Sequence, residues 1–429
     1  KEIVTQGSKS YYIKNDKDLE NFLIQSSSKN KSSIKKNTKE KKFINTLDSN
    51  IKTIIGLLKK SKRPVIIIGN GIRLAKVEKE FEALVKNWKI PVTSSYLGID
   101  IFPNSHKYHI GTLGTKGNRA ANFAVQNSDL VIALGCRMSV PLTGFEYQTF
   151  AREAKVCVVD INKDEHRKGT IKIDRFVHQD LSLLIPKLPR LDFQSNWNGW
   201  LSKCMKWKQD WPICNEYQKN DKEGINLYHF YEIFNRHTPK NSIVVADAGS
   251  SGYVSAQSVL VKKGQRFIMS GGQMEMGFTL PCTIGVAYAA KDKMVFGITG
   301  DGSFQLNIQE LQTMVYYNLD IKIVILNNFG YGIIKQFQDS YFLGRYEATG
   351  RGYSQPSIRR IAKAYNIDYV PIATLHDITS EHFSAPGLRI FEVFLDPNTL
   401  IEPKLEMGNP INNQFPYLSK NEIEEGNLF

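Results

Sequence analysis

MVFGITGDGSFQLNIQELQTM (294–314) is the segment on which the fold and the chemistry turn. An apolar strand ends at Gly300-Asp301-Gly302, and a helix is expected from about Ser303. Two glycines let the backbone turn tightly and approach a ligand closely. The start of a helix offers unpaired N–H groups and a positive dipole end to an anion. Asp301 is the wrong charge to bind a phosphate directly. It makes sense when a hard divalent cation, which takes oxygen ligands, lies between carboxylate and phosphate. The second half follows one helix later. IKIVILNNFGYG (321–332) is an apolar strand ending at Asn327-Asn328, with Asn328 falling 27 positions after Asp301. That spacing holds one helix and one strand. In a parallel sheet both strand ends lie on the carboxyl edge, where open α/β folds bind ligands. The Asn328 amide oxygen is thus a candidate second metal ligand.

The same alternation extends in both directions. Downstream of Ile225 the elements are helix NLYHFYEIFNRH, strands SIVVADAG and RFIMS, helix LPCTIGVAYAA, the two strands above, helix SIRRIAKAYN and strand RIFEVFLD. Upstream, from Phe43, INTLDSNIKTIIGLLKK has helical spacing and RPVIIIGNG is a buried strand ending in a glycine turn. VEKEFEALVKNW, IPVTSS, NRAANFAVQN, SDLVIALG and KVCVVDIN continue the series. Strands and helices in this order predict two α/β domains, each a doubly wound parallel sheet. The expected divisions are 1–42, 43–190, a Trp- and Lys-rich helical connector at 191–224, and 225–429 with a polar tail laid over the surface. KSYYIKNDKDLENFL (9–23) reads as a strand running into a helix.

Composition narrows the function classes. The net charge is +14, but residues 1–63 hold 16 Lys and Arg against 6 Asp and Glu. The basic run SSSKNKSSIKKNTKEKK (26–42) has no aromatic residue to stack on bases, so it reads as a solvated linker and not as a nucleic-acid site. No apolar run reaches the roughly 18 residues a membrane helix needs. The amino terminus has neither an initiator Met nor a signal-like apolar run, as expected of a processed product or a fragment. The 5 scattered cysteines form no C-x-x-C pair, which fits a reducing cytoplasm and disfavours structural zinc.

The GDG turn, its spacer and the NN pair resemble the signature of thiamine-diphosphate enzymes of the acetolactate synthase type, and the resemblance covers nearly the whole chain. It implies Asp301, Asn328 and the Gly330 carbonyl as Mg²⁺ ligands. It implies Gly300, Gly302 and Ser303 as the diphosphate cradle, with Ser250 and Ser251 of ADAGSSGYVSAQ (246–257) in an earlier contacting turn. Met276 matches the large apolar residue that props thiamine in its bent form, and Ile333 matches a further cofactor-contacting position. Residues 43–190 resemble the family's central domain, in which Gly69, Gly71, Arg137 and Asp160 match FAD-contacting positions. RMSVPLTG (137–144) stands where those enzymes carry an Arg-Phe-Asp-Asp-Arg-type run, a departure that argues against FAD.

The implied activity is carboligation or decarboxylation of a 2-keto acid. The family's pyrimidine domain, with its activating Glu, is represented only by residues 2–25, which resemble its tail. No catalytic residue is therefore nominated. The chain is expected to work as a homo-oligomer or with a chain that supplies a pyrimidine domain. The alternative is a non-catalytic or regulatory protein that keeps the fold. A nicotinamide dehydrogenase is disfavoured, because IIIGNGIRLA is an incomplete G-x-G-x-x-G without an acidic residue about 20 positions on.

Overall fold

The computed structural model describes residues 2–6, 9–13, 33–191 and 194–426. A short antiparallel hairpin, β1 (Glu2–Gln6) and β2 (Lys9–Ile13), comes first. The helix expected after β2 lies outside the described residues. Helix α1 runs from Ser33 to Lys60. This corrects part of the linker reading: residues 33–42 are helical. Lys and Glu are good helix formers, and the composition of the run concealed this.

The first sheet holds β3 (Pro64–Ile68), β4 (Val92–Ser94), β5 (His109–Thr112), β6 (Leu130–Leu134), β7 (Lys155–Asp160) and β8 (Arg175–His178). Helices α2 (Glu78–Trp88) and α3 (Arg119–Gln126) lie among the crossovers. All neighbours are parallel, in the order β5-β4-β3-β6-β7-β8. Pro64–Ile68 and Leu130–Leu134 are buried throughout, as suits central parallel strands covered on both faces. Short strands β5 and β8 were not foreseen. Helix α4 (Gln194–Asp210) forms half of the connector. It packs firmly on the first sheet: Trp197, Trp200 and Trp207 are buried in that domain's cores. The indole N–H groups of Trp197 and Trp200 donate to the Ser61 and Pro64 carbonyls, at 3.0 Å each.

The second sheet holds β9 (Ser242–Ala246), β10 (Arg266–Met269), β11 (Met294–Gly300), β12 (Ile321–Asn327), β13 (Asp368–Ile372) and β14 (Arg389–Phe394). It too is fully parallel, in the order β10-β9-β11-β12-β14-β13. Its helices include α5 (Leu227–His237), α6 (Gly249–Ser258), α7 (Thr279–Ala289), α8 (Asp301–Phe304), α9 (Gly332–Phe342) and α10 (Ile358–Ala364). The segment read as a diphosphate turn at 246–257 is mostly helix α6, and α9 and β13 were not foreseen. The two doubly wound sheets themselves are as the sequence predicts.

The tail is not laid over the surface. Ile401, Leu405 and Ile411 are buried. Asn122 donates to the Ile411 carbonyl at 2.9 Å, Gln336 to that of Ile401 at 3.1 Å and Gln257 to that of Pro403 at 2.9 Å. Helices of both domains thus hold the tail through its own backbone. No helix among the described residues is long and apolar enough to cross a membrane.

One buried carboxylate fixes the carboxyl edge of the second sheet. Asp247 accepts from the backbone N–H groups of Ala248 (2.8 Å), Gly277 (3.1 Å) and Thr279 (3.1 Å), and from the Thr299 hydroxyl (3.2 Å). It joins the end of β9, the turn before α7 and the end of β11. Hydrogen bonds to a charged acceptor are worth more than neutral ones, and buried donors left unpaired are costly. Asp247→Ala is therefore expected to lower the unfolding free energy by about 3 kcal/mol. Urea denaturation checks this, and a loss below about 1 kcal/mol would contradict the bracing role.

Candidate functional site

The strand order reverses between β3 and β6 in the first sheet and between β9 and β11 in the second. Clefts form at such switch points, outside the carboxyl ends of the strands. Both switch points here open into cavities.

The second sheet's cavity has a volume of about 330 Å³. Ser250, Ser251, Met276, Gly300, Asp301, Gly302, Ser303, Asn328, Gly330 and Ile333 all line it. Every residue singled out in the second domain therefore meets in one place. The contributing chain segments are the start of α6, the turn before α7, the β11–α8 junction and the loop between β12 and α9. Gly300 is extended and α8 begins at Asp301 itself, slightly earlier than expected.

Asp301 is almost completely buried, at 1% exposure. Burial raises its pKa to about 6, against hydrogen bonds from Tyr353 and nearby backbone that lower it. One end of the Asn328 carboxamide lies 2.8 Å from the Gly330 carbonyl oxygen and 3.2 Å from Asp301 Oδ1. With its nitrogen turned inward, the amide would donate to both. With its oxygen inward, three acceptors converge with no donor among them, an arrangement that a cation would stabilise.

Close packing shapes this loop. A methyl group on Gly330 would stand 2.3 Å from the Thr349 carbonyl oxygen, and one on Gly302 would stand 2.4 Å from the Tyr331 ring. Between Asn328 and Gly330, Phe329 has φ +56° and is half exposed. A left-handed aromatic residue is uncommon, and such strain clusters at functional sites. Ser251 donates to the Ala248 carbonyl at 2.7 Å. Met276 is partly exposed in the cavity wall, with Met274 beside it in the lining.

Sequence reasoning missed Tyr253, Met274, Tyr331 and Tyr353. The first three line the cavity, and the Tyr353 hydroxyl donates to Asp301 Oδ2 at 2.7 Å. Tyr253, Met274 and Tyr331 lie within or beside the segments already singled out, whereas Tyr353 carries no local signal and is brought in by tertiary packing alone.

The first sheet's cavity is larger, about 620 Å³. Gly69, Gly71, Arg137 and Asp160 all line it, so these four candidates are also assembled together. Its charged lining residues are Lys76, Arg137, Asp160, Glu165 and Asp180. Arg137 is bound to Glu165 at 2.8 Å.

Known proteins match over the same regions. The family described as thiamine pyrophosphate enzyme, central domain, matches residues 51–188. Thiamine pyrophosphate enzyme, C-terminal TPP binding domain, matches residues 247–388. The acetolactate synthase large subunit of Cyanidium caldarium is 30% identical over 377 residues, covering 85% of this chain and 63% of the relative. That of Lactococcus lactis subsp. lactis is 32% identical over 326 residues, covering 76% and 56%. That of Parasynechococcus marenigrum is 31% identical over 331 residues, covering 76% and 52%. The chain spans between half and two thirds of the length of these relatives.

The packing around Gly330 predicts a steric outcome. Gly330→Ala must displace either its own loop or the Thr349 backbone, and is expected to cost about 2 kcal/mol. Gly199→Ala, where nothing lies within 4 Å, should be neutral or mildly stabilising. Thermal unfolding of both variants checks the contrast, and equal melting temperatures would contradict it.

Proposed function

Since the chain belongs to the thiamine-diphosphate-dependent, acetolactate synthase-like enzyme family, we propose that the second sheet's cavity binds thiamine diphosphate through Mg²⁺. The side chains of Asp301 and Asn328 and the carbonyl of Gly330 hold the cation. The observation that carries this reading is that one end of the Asn328 carboxamide meets both the Asp301 carboxylate and the Gly330 carbonyl, so that with its oxygen turned inward three oxygens converge. Separations of 2.8 and 3.2 Å bracket the ~2.9 Å edge of an octahedron with Mg²⁺–oxygen distances of 2.0–2.1 Å. The donor set also fits a hard cation: a carboxylate, an amide oxygen and a carbonyl oxygen. Gly300, Gly302 and Ser303 cradle the diphosphate, and Ser250 and Ser251 approach it from α6. Met276 and Ile333 supply apolar support for the thiamine rings. When bound, the cofactor supplies the electron sink that decarboxylation of a 2-keto acid requires. The chain's own residues bind it, orient it and exclude water from it.

The reaction we assign is decarboxylation of a 2-keto acid, with carboligation to an acceptor. The carboxylates lining the cavity are Asp301 and Asp396; no Glu or His does so among the described residues. Activation at the aminopyrimidine must therefore come from a pyrimidine domain, whether in the same polypeptide or in another subunit. Helix α7 supports such a contact. It is apolar nearly all round but buries only Thr279, Leu280 and Thr283, leaving Tyr288 exposed and Cys282 and Ile284 half-buried. Apolar surface of this kind marks interaction sites, and a homo-oligomer or a companion chain would cover it. A cavity lining without a Glu is also what a non-catalytic or regulatory relative would show; activity with a pyrimidine domain separates the two. The five unpaired cysteines fit a reducing cytoplasm.

We do not assign FAD to the first sheet's cavity. Three carboxylates face two cations in its wall, and one of those cations is already paired with Glu165. Lys168 is also paired with Glu165, at 2.8 Å, and RMSVPLTG (137–144) brings no cation beyond Arg137 to receive a dinucleotide's diphosphate. The purified protein is expected to release no stoichiometric flavin on denaturation. An absorbance spectrum showing one flavin per chain would overturn this.

Asp301→Ala is expected to abolish Mg²⁺-dependent binding of thiamine diphosphate while sparing the fold. Calorimetric titration of the wild-type and variant chains checks it. Unchanged affinity in the variant would refute the metal assignment.

A further inference from the structure

Asp301 has two carboxylate oxygens in different surroundings. Oδ1 faces the Asn328 carboxamide and, through it, the Gly330 carbonyl. Oδ2 accepts the Tyr353 hydroxyl at 2.7 Å. One oxygen is turned toward the proposed cation and the other is already occupied by a side chain.

Tyr353 is not there by chance of an unanchored loop. The segment from Thr349 to Gln355 is strapped across the β12–α9 loop at several points. The Tyr331 N–H donates to the Thr349 carbonyl at 3.2 Å. The Tyr353 ring packs edge-on against Tyr331, with centroids 4.9 Å apart and planes at 76°. Gln355 donates to the Asn327 amide oxygen at 2.9 Å. Asn327 in turn donates to Glu392 at 2.7 Å, and Glu392 accepts the Tyr369 hydroxyl at 2.6 Å. The phenol of Tyr353 is thus held at the carboxylate by contacts reaching β12, β13 and β14.

We infer that Tyr353 is a positioning residue that fixes Asp301 as a one-oxygen ligand and thereby selects Mg²⁺ over Ca²⁺. This rests on the metal reading of the cavity given above. Mg²⁺ demands near-octahedral coordination and is satisfied by single oxygens, whereas Ca²⁺ takes six to eight oxygens and accepts carboxylates through both. Holding Oδ2 away from the cation removes the two-oxygen mode that a larger ion can use. A partner that orients a ligand carboxylate is also the kind of outer group whose loss weakens metal binding.

The test uses the full chain and its Tyr353→Phe variant, which keeps the ring and its packing on Tyr331. Thiamine diphosphate binding is followed by calorimetry at increasing MgCl₂ or CaCl₂, giving a half-saturating concentration for each cation. In the wild type, Mg²⁺ should support binding at the lower concentration. In Tyr353→Phe the Mg²⁺ requirement should rise about tenfold, with Ca²⁺ unchanged or improved, so the ratio moves toward Ca²⁺. A merely structural role would weaken both cations by the same factor, and that result would overturn the inference. So would an unchanged ratio, or one that moves toward Mg²⁺. Wild-type chain that binds no thiamine diphosphate with either cation would refute the cavity reading, and this inference with it.

Discussion

Three oxygen atoms drawn together with no hydrogen between them repel one another, and the loops that bring them together must be held against that repulsion. In this chain the oxygens of Asp301, Asn328 and Gly330 can meet in this way. The surrounding structure shows how they are held. Asp247 ties the ends of β9 and β11 to the turn before α7. Thr349 packs so closely against Gly330 that no side chain fits. Phe329 accepts a left-handed backbone between two of the three groups. A cation would turn the repulsion into coordination, which is why the proposed Mg²⁺ site and the loop architecture belong together.

Parallel topology places this arrangement where it is. A parallel sheet brings every strand end to one edge, and reversal of strand order opens a cleft there. The chain does this twice, with different chemistry at each cleft. The second sheet offers a cradle of glycine and serine with one deeply buried carboxylate. The first offers a larger space whose wall holds more carboxylates than cations. Helix α4 buries its tryptophans in the first domain, and the tail joins the two domains through backbone carbonyls that accept from Asn122, Gln257 and Gln336.

Much of this was legible in the sequence for a physical reason. Gly300, Asp301, Gly302, Asn328 and Gly330 sit at strand ends, where local residue type and spacing decide geometry. The apolar runs that form β3, β6, β11 and β12 need burial on both faces, which their composition announces. Other features depend on distant partners and leave no local trace. Asp247 looks like an ordinary loop aspartate until its four donors are seen. Tyr353 lies 52 residues from the carboxylate it touches. The basic run at 33–42 reads as a linker although it is helical, because solubility and helix propensity both favour lysine. The tail reads as a surface segment although it is anchored, because its anchors are backbone carbonyls and composition says nothing about what they accept.

The most telling measurement replaces Mg²⁺ with Mn²⁺ and records electron–nuclear double resonance on the chain with thiamine diphosphate. A cation held by Asp301, Asn328 and Gly330 and bridging to the diphosphate should give one bound Mn²⁺ per chain with clear ³¹P couplings. Those couplings should vanish when the cofactor is omitted. Bound Mn²⁺ without ³¹P coupling, or no bound Mn²⁺ in the presence of the cofactor, would contradict a metal-bridged diphosphate at the end of β11.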